Sequence, residues 1–274
     1  MIPDRAALVD SHLHLQDEVF SGCLPEVLDQ AAEAGVHRLV VNGAEESDWP
    51  RVLELARRHP QVVPCFGLHP WYVCGRSRGW LERLEFFLRE VPSAVGEIGL
   101  DRWQKGRDEA AQEEVFRDQL GLARHLGRPV MIHCLQAWGW MLRVLREEDP
   151  LPAGFLLHAF GGSRELLPVF QEMGAYFSFA GNVLEDSKAH RRQVLKAVLP
   201  ERLLLESDAP DLPLPVPFGA VCRCSPQGRR ISEPAHVKIL YREVSRLREE
   251  PLADMAERIW HNSSALLRPV LGLP

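Results

Sequence analysis

Short unbroken apolar runs alternate along this chain with stretches in which apolar residues recur every three or four positions. The runs are Ala6–Val9, Arg38–Val41, Val62–Phe66, Ala94–Ile98, Pro129–His133, Phe155–His158, Tyr176–Phe179 and Leu203–Asp208. Continuous apolar segments of this length read as strands buried on both faces. The amphipathic stretches predict helices over Pro25–Ala34, Asp48–Arg58, Trp80–Glu90, Glu109–Leu126, Trp138–Glu147, Arg164–Met173 and Ser187–Leu199. Two more follow at His236–Arg248 and Leu252–Leu267. Gly35, Gly127 and Gly174 stand just past three of the helices, where a left-handed residue closes the last turn. Asp48 and Pro50 read as an N-cap and a first-turn proline.

Eight strand–helix repeats in 274 residues predict an α/β chain, a (β/α)8 TIM barrel formed as a single domain over residues 1–274 with extra C-terminal helices. A doubly wound open sheet is the alternative, but no Gly-x-Gly-x-x-Gly follows the first strand. The segment Pro210–Pro234 breaks the rhythm with six prolines. It is expected as a long loop after the eighth strand, on the face where a barrel keeps its active site.

Composition narrows the function. With 46% apolar and 26% charged residues the chain is ordinary globular protein. A net charge of −6 argues against a protein that lives by phosphate contacts over its whole surface, so any nucleic-acid contact is local. Cys23, Cys65, Cys74, Cys134, Cys222 and Cys224 form no Cys-x-x-Cys pair and read as reduced thiols. No run approaches the roughly 18 apolar residues of a membrane span, and the start lacks a secretion signal. A cytoplasmic location with no membrane partner is expected.

The chemistry gathers at strand ends. In Asp10-Ser11-His12-Leu13-His14 the two histidines, two residues apart on extended chain, face the same side and suit one divalent cation. His133 and His158 also end strands, His69 follows the third, Glu97 ends the fourth and Asp208 the eighth. In a barrel these ends meet at one mouth. Four imidazoles and two carboxylates exceed the roughly three protein ligands of one catalytic zinc and suit two, or three, divalent ions. Zn, Mn, Mg, Fe and Ni all fit such a donor set. Paired ions activate water and neutralise a phosphoryl group, and Asp208 is the candidate base. His37, His59, His125, His190, His236 and His261 fall in loops or helical patterns and read as structural.

Substrate handles are expected near the same mouth. Arg102, Lys105 and Arg107 follow strand four, and Arg223, Arg229 and Arg230 lie in the late loop, where they could meet phosphates or remain solvated. Trp71 and Trp103 could stack on unpaired bases or pack beneath loops. Asp101 could orient a ligand histidine or cap a turn.

Six motifs carry a resemblance to a known family. They are Asp10–His14, Gly67-Leu68-His69-Pro70, Gly96-Glu97-Ile98-Gly99-Leu100-Asp101, Pro129–Cys134, His158-Ala159-Phe160-Gly161-Gly162-Ser163 and Glu206-Ser207-Asp208-Ala209-Pro210. In this order the chain resembles the TatD-family metal-dependent deoxyribonucleases. The resemblance implies that His12 and His14 hold one ion, and His133 and His158 the other. It implies that Glu97 bridges them, that Asp208 completes the first site beside the attacking water, and that His69 contacts substrate phosphate. It also implies 3′-to-5′ exonuclease or endonuclease action on accessible DNA strands or ends. Three positions depart from the family pattern: Leu135 replaces an expected arginine, Ser232 an asparagine and Ser207 a threonine. The first two bear on substrate range.

The alternative is a related hydrolase of carboxyl or other esters, such as a D-aminoacyl-tRNA deacylase, a small-molecule amidohydrolase or a phosphotriesterase-like enzyme, since fold does not decide the reaction. No lysine follows strand four before Lys105, so a carboxylated lysine bridge is not available and Glu97 favours the nuclease branch. A non-catalytic metal-binding scaffold would lack a ligand, and none is missing. Neither a Gly-x-Ser-x-Gly elbow nor a P-loop occurs. No motif speaks to oligomeric state.

Overall fold

The computed structural model describes residues 7–218 and 223–273. Among them lie eight strands, in sheet order β1 to β8: β1 Leu8–Leu13, β2 Val36–Asn42, β3 Val62–Phe66, β4 Ala94–Asp101, β5 Val130–Leu135, β6 Phe155–Leu157, β7 Ala175–Phe179 and β8 Leu203–Leu205. The helices between and after them are α1 Leu24–Glu33, α2 Trp49–Arg58, α3 Trp80–Glu90, α4 Glu109–Leu126, α5 Trp138–Glu147, α6 Leu166–Glu172, α7 Ala189–Ala197, α8 Val237–Arg248, α9 Leu252–Leu266 and α10 Arg268–Leu271. No described helix is long and apolar enough to cross a membrane. The chain separates into two compact units: the described residues through Val41 with Phe177–Ser263, and Asn42–Tyr176 with the residues from Ser264 onward.

In the first unit β1 pairs in parallel with β2, Leu8 opposite Val36 and Leu13 opposite Val41. β7 pairs with β8, Phe177 opposite Leu203 and Phe179 opposite Leu205. All eight of these side chains are buried. β1 runs four residues further than the apolar run alone suggests, so His12 sits inside the strand; Ala6 lies outside the described residues. The extension holds because the whole strand is buried and β2 continues beside it, Asp10 opposite Leu39 and Leu13 opposite Val41; before it, Tyr241 of α8 accepts from the Val9 N–H at 3.3 Å and donates to its carbonyl at 3.1 Å. The buried Arg38 guanidinium stacks 4.1 Å over Trp260 and donates to Ser263. The late loop holds a short helical turn at Val216–Phe218 and a bridge between Cys224 and Arg230; Cys222 lies outside the described residues.

In the second unit β3, β4, β5 and β6 pair in parallel, with Cys65 opposite Ala94, Ile98 opposite Ile132, Gly99 opposite His133 and Ile132 opposite Leu157. β4 and β5 continue past their apolar runs to Asp101 and Leu135, so Glu97 lies in mid-strand rather than at its end. A charged side chain usually ends a buried strand, but here hydrogen-bonding partners from neighbouring segments hold both carboxylates. α4 opens on Asp108, whose side chain accepts from the Ala111 N–H, and closes on Gly127 at φ 62. Asp48 precedes α2 without capping it, because its carboxylate accepts from Ala44 N–H instead. Helices α6 and α7 are shorter than the amphipathic pattern suggests, and α10 had no sequence signal of its own.

Candidate metal centre

In the first unit three donor atoms converge. His12 Nε2 and His14 Nε2 lie 3.3 Å apart, with Asp208 Oδ1 at 3.8 Å from the first and 3.9 Å from the second. Alternation places the two imidazoles on one side, and their rings meet edge to face. Asp208 follows β8 by three residues and adopts φ 50, a left-handed conformation that aspartate tolerates better than most residues. Backbone bonds fasten this turn: Asp208 N–H donates to the His12 carbonyl at 3.1 Å, and His14 N–H to the Ala209 carbonyl at 2.7 Å.

Asp10 completes the fastening. Its carboxyl accepts from both the N–H and the hydroxyl of Ser207, while Ser11 Oγ donates to the Leu205 carbonyl at 2.9 Å. Burial pushes the Asp10 carboxyl up to about 8, against the lowering effect of the Ser207 hydrogen bonds. The Ser207 hydroxyl also accepts from the Ala209 N–H at 3.1 Å, tying the turn together. Ser178 of β7 donates to the buried Glu206 carboxylate.

In the second unit Glu97, His133 and His158 form a tighter triangle. Glu97 Oε1 is 2.9 Å from His158 Nε2 and 3.0 Å from His133 Nδ1, and the two nitrogens are 3.2 Å apart. Ligand atoms around one tetrahedral zinc, each about 2.0–2.1 Å from it, stand about 3.3 Å from one another. The donor set and its spacing therefore fit a divalent ion. His69 approaches the same carboxylate, its Nε2 3.5 Å from Glu97 Oε1. His69 Nδ1 accepts from the Trp71 N–H at 3.2 Å, which puts the ring hydrogen on Nε2.

Asp101 stands behind His133. Its Oδ2 accepts from His133 Nε2 at 2.9 Å and fixes the ring with Nδ1 on the Glu97 side. Burial alone would raise the Asp101 carboxyl, but the hydrogen bonds from His133, Gln104 and Trp71 outweigh it and bring it to about 2. Burial disfavours the His133 imidazolium, yet its hydrogen bonds to Asp101 and Glu97 hold its pKa above the usual value.

Two glutamines that the sequence reading missed position this cluster. Gln112 Oε1 accepts from the Asp101 N–H at 2.9 Å. Gln119 clamps Leu68, the residue before His69, accepting from its N–H at 2.7 Å and donating to its carbonyl at 3.1 Å. They are seven residues apart, two turns of α4, and both are buried. Their signal was a polar pair on the apolar face of an amphipathic helix.

The substrate handles divide. Trp71 and Trp103 lie near Asp101, stacked with centroids 5.8 Å apart. Arg102 turns the other way, because alternation puts it opposite Asp101. Its guanidinium pairs with Glu109 at 3.0 Å and sits 5.0 Å over the Trp140 ring. Arg107 also pairs with Glu109. In the late loop Arg223 pairs with Glu26 and Glu233, Arg229 with Asp211, and Arg230 donates to the Leu214 carbonyl. Leu135 pairs with Asp101 in the sheet, and Ser232 is buried with its N–H on the Pro210 carbonyl.

The family described as TatD related DNase matches residues 9–268. An uncharacterized metal-dependent hydrolase of Bacillus subtilis, YabD, is 31% identical over 95% of this chain and 99% of its own length. A 3′-5′ ssDNA/RNA exonuclease TatD of Edwardsiella piscicida is 31% identical over 95% of this chain and 99% of its own. The crystal structure of the TatD homologue YjjV from Escherichia coli superposes with a TM-score of 0.86 at 29% identity, covering 97% of this chain and 98% of that one. The fold class is the (β/α)8 barrel expected from the strand–helix alternation.

Proposed function

The chain belongs to the TatD-related DNase family and is a metal-dependent hydrolase, and we propose that it hydrolyses phosphodiester bonds of DNA at accessible strands or ends. The observation that carries this reading is the pair of three-donor clusters, His12–His14–Asp208 and Glu97–His133–His158, each with nitrogen and carboxylate atoms at ligand spacing. In this reading the two clusters hold two divalent ions and residues 1–274 act as one catalytic domain. The name of the Edwardsiella relative supports 3′-to-5′ exonuclease action on unpaired strands.

Bound divalent ions supply a water acidified toward neutral pH and offset the charge on the phosphoryl oxygens. The chain's own groups do the rest. Asp208, whose Oδ1 faces His12 and His14, takes the proton from the attacking water. Glu97 holds His133 and His158 in a common orientation through one carboxylate oxygen. His69 carries its hydrogen on Nε2 and donates it toward a substrate phosphate oxygen. Asp101 fixes the His133 ring, and Trp71 borders the same site. Arg102 reaches substrate only by exchanging its Glu109 partner for a phosphate.

The test is cleavage of end-labelled single-stranded and duplex DNA by metal-reconstituted protein, with chelator-treated protein and a carboxyl-ester substrate alongside. Metal-dependent shortening of single-stranded DNA is expected. Ester hydrolysis with every DNA left intact would overturn the reading.

A further inference from the structure

The aromatic pair at the end of β4 is tied to the candidate metal ligand by a single buried carboxylate. Asp101 is fully buried, and both of its oxygens are used twice. Oδ2 accepts from His133 Nε2 at 2.9 Å and from Trp71 Nε1 at 3.0 Å. Oδ1 accepts from the backbone N–H of Trp103 at 2.6 Å and of Gln104 at 3.0 Å. The first pair of bonds joins an indole to an imidazole. The second turns the chain sharply after β4 and sets the position of Trp103.

The two indoles lie nearly parallel, 26° between planes and 5.8 Å between centroids, and remain 40% and 58% exposed. Large aromatic faces left in water are unusual unless something covers them. Trp71 also meets His69 edge to face at 5.2 Å, and His69 meets His133 at 4.4 Å. The platform thus begins at the cluster and leads outward. A flat apolar face bordering such a centre has the chemistry to receive a planar aromatic ring beside a phosphate. An unpaired nucleobase is that ring, because a paired base has its faces covered by its neighbours in the stack.

We infer that Trp71 and Trp103 form a stacking platform for an unpaired nucleobase, and that Asp101 is the positioning residue holding this platform in register with His133. The inference rests on the proposed phosphodiester hydrolysis. It adds a source of selectivity: a substrate whose base is missing or remains paired loses the stacking contact, and one whose base stacks has its phosphate set at the metal-ligand side. It also assigns Asp101 a double task, so that its replacement disturbs base selection and His133 together.

The experiment compares metal-loaded enzyme on two single-stranded oligonucleotides of equal length, one intact and one with abasic residues at its end. Both keep every phosphodiester. The wild type is expected to favour the intact strand in kcat/KM by about tenfold, the scale of one stacked base. W103A is expected to bring that ratio close to one. D101N is expected to lower the ratio and also kcat, with partial recovery of both in D101E. On metal-free protein, circular dichroism reads the exciton couplet of the stacked indoles, which W103A abolishes and D101N weakens. Should D101N fold poorly, W71F removes the same N–H bond to Asp101 and is expected to lower kcat several-fold. Equal cleavage of both strands by the wild type, or a full base preference in W103A, overturns the platform and leaves phosphodiester hydrolysis standing. An undiminished couplet, kcat and base preference in D101N overturns the role of Asp101. Cleavage of neither strand overturns the proposed function and this inference with it.

Discussion

Gly99→Ala tests the packing behind His133 most sharply. Gly99 lies opposite His133 in the β4–β5 pair, at φ +153. A Cβ built there falls 1.9 Å from the His133 carbonyl oxygen, 2.9 Å from its carbon and 3.1 Å from its nitrogen. Comfortable separation of such atoms is about 3.5 Å, so roughly 1.5 Å must be found. Every atom in the way is backbone of a buried strand, so no side chain can swing aside. Overpacking costs about 1–3 kcal/mol and the unfavourable φ adds about 1–2. The expected total is about 2–5 kcal/mol, which for a chain of this size lowers Tm by about 4–20 °C. The displaced residue carries the Nδ1 donor of the Glu97–His133–His158 triangle. One divalent ion should therefore bind at least tenfold more weakly, the scale seen when ligand orientation is disturbed, while the other is little changed. Thermal unfolding of metal-free protein and calorimetric titration with Zn²⁺ or Mn²⁺ read both effects. A stability within the roughly ±0.5 kcal/mol of an ordinary surface substitution, with both ions bound as before, would refute the reasoning.

Asp208→Asn removes the proposed proton acceptor, and kcat on single-stranded DNA should fall about 10²–10⁴-fold with circular dichroism unchanged; an undiminished kcat assigns the proton elsewhere. Arg102→Ala should weaken DNA binding slightly and reduce the salt-dependence slope by about 0.7, the value for one phosphate contact on a single strand, as read in binding titrations at several salt concentrations. No change in slope would leave Arg102 to its Glu109 partner. Glu113, held down to about 2 chiefly by the hydrogen bond from Arg143, carries a depressed pKa, so its stabilising effect is present above its ordinary 4.5 and disappears as pH falls toward 2. Glu113→Gln should therefore cost about 1 kcal/mol near pH 7 and nothing near pH 2, as measured by urea unfolding at the two pH values.

Much of this architecture was legible because buried parallel strands leave continuous apolar runs, and all eight runs mark strands of the sheet. Strand limits were less legible. The chain reads as leaving the sheet at Glu97 and His133, yet β4 and β5 run on to Asp101 and Leu135. What keeps those polar residues in a strand lies far away in sequence: Gln112 on the Asp101 N–H, His158 beside Glu97, and Trp71 on the Asp101 carboxylate. No local pattern announces such partners. The same limit hid Gln119, which bonds the backbone of Leu68 from 51 positions away. Arg102, expected among the substrate handles, instead points to Glu109 and Trp140, since alternation along β4 puts Glu97, Gly99 and Asp101 on one side and the residue after the strand on the other.

That alternation explains why one short segment can organise the second unit's cluster. Successive residues on one side of a strand stand about 6.6 Å apart, twice the rise per residue. On β4 the first such position, Glu97, faces His133 and His158. The next, Gly99, must be bare because the His133 carbonyl occupies the space of its side chain. The third, Asp101, reaches past that contact to the far nitrogen of the same imidazole. One histidine is thus gripped at both ring nitrogens by carboxylates on a single strand, and the glycine between them sets how closely the strand approaches. A larger residue at the middle position shifts both grips at once, whereas loss of either carboxylate leaves the other in place. The three positions form one mechanical part, with its spacing set by backbone geometry rather than by any loop.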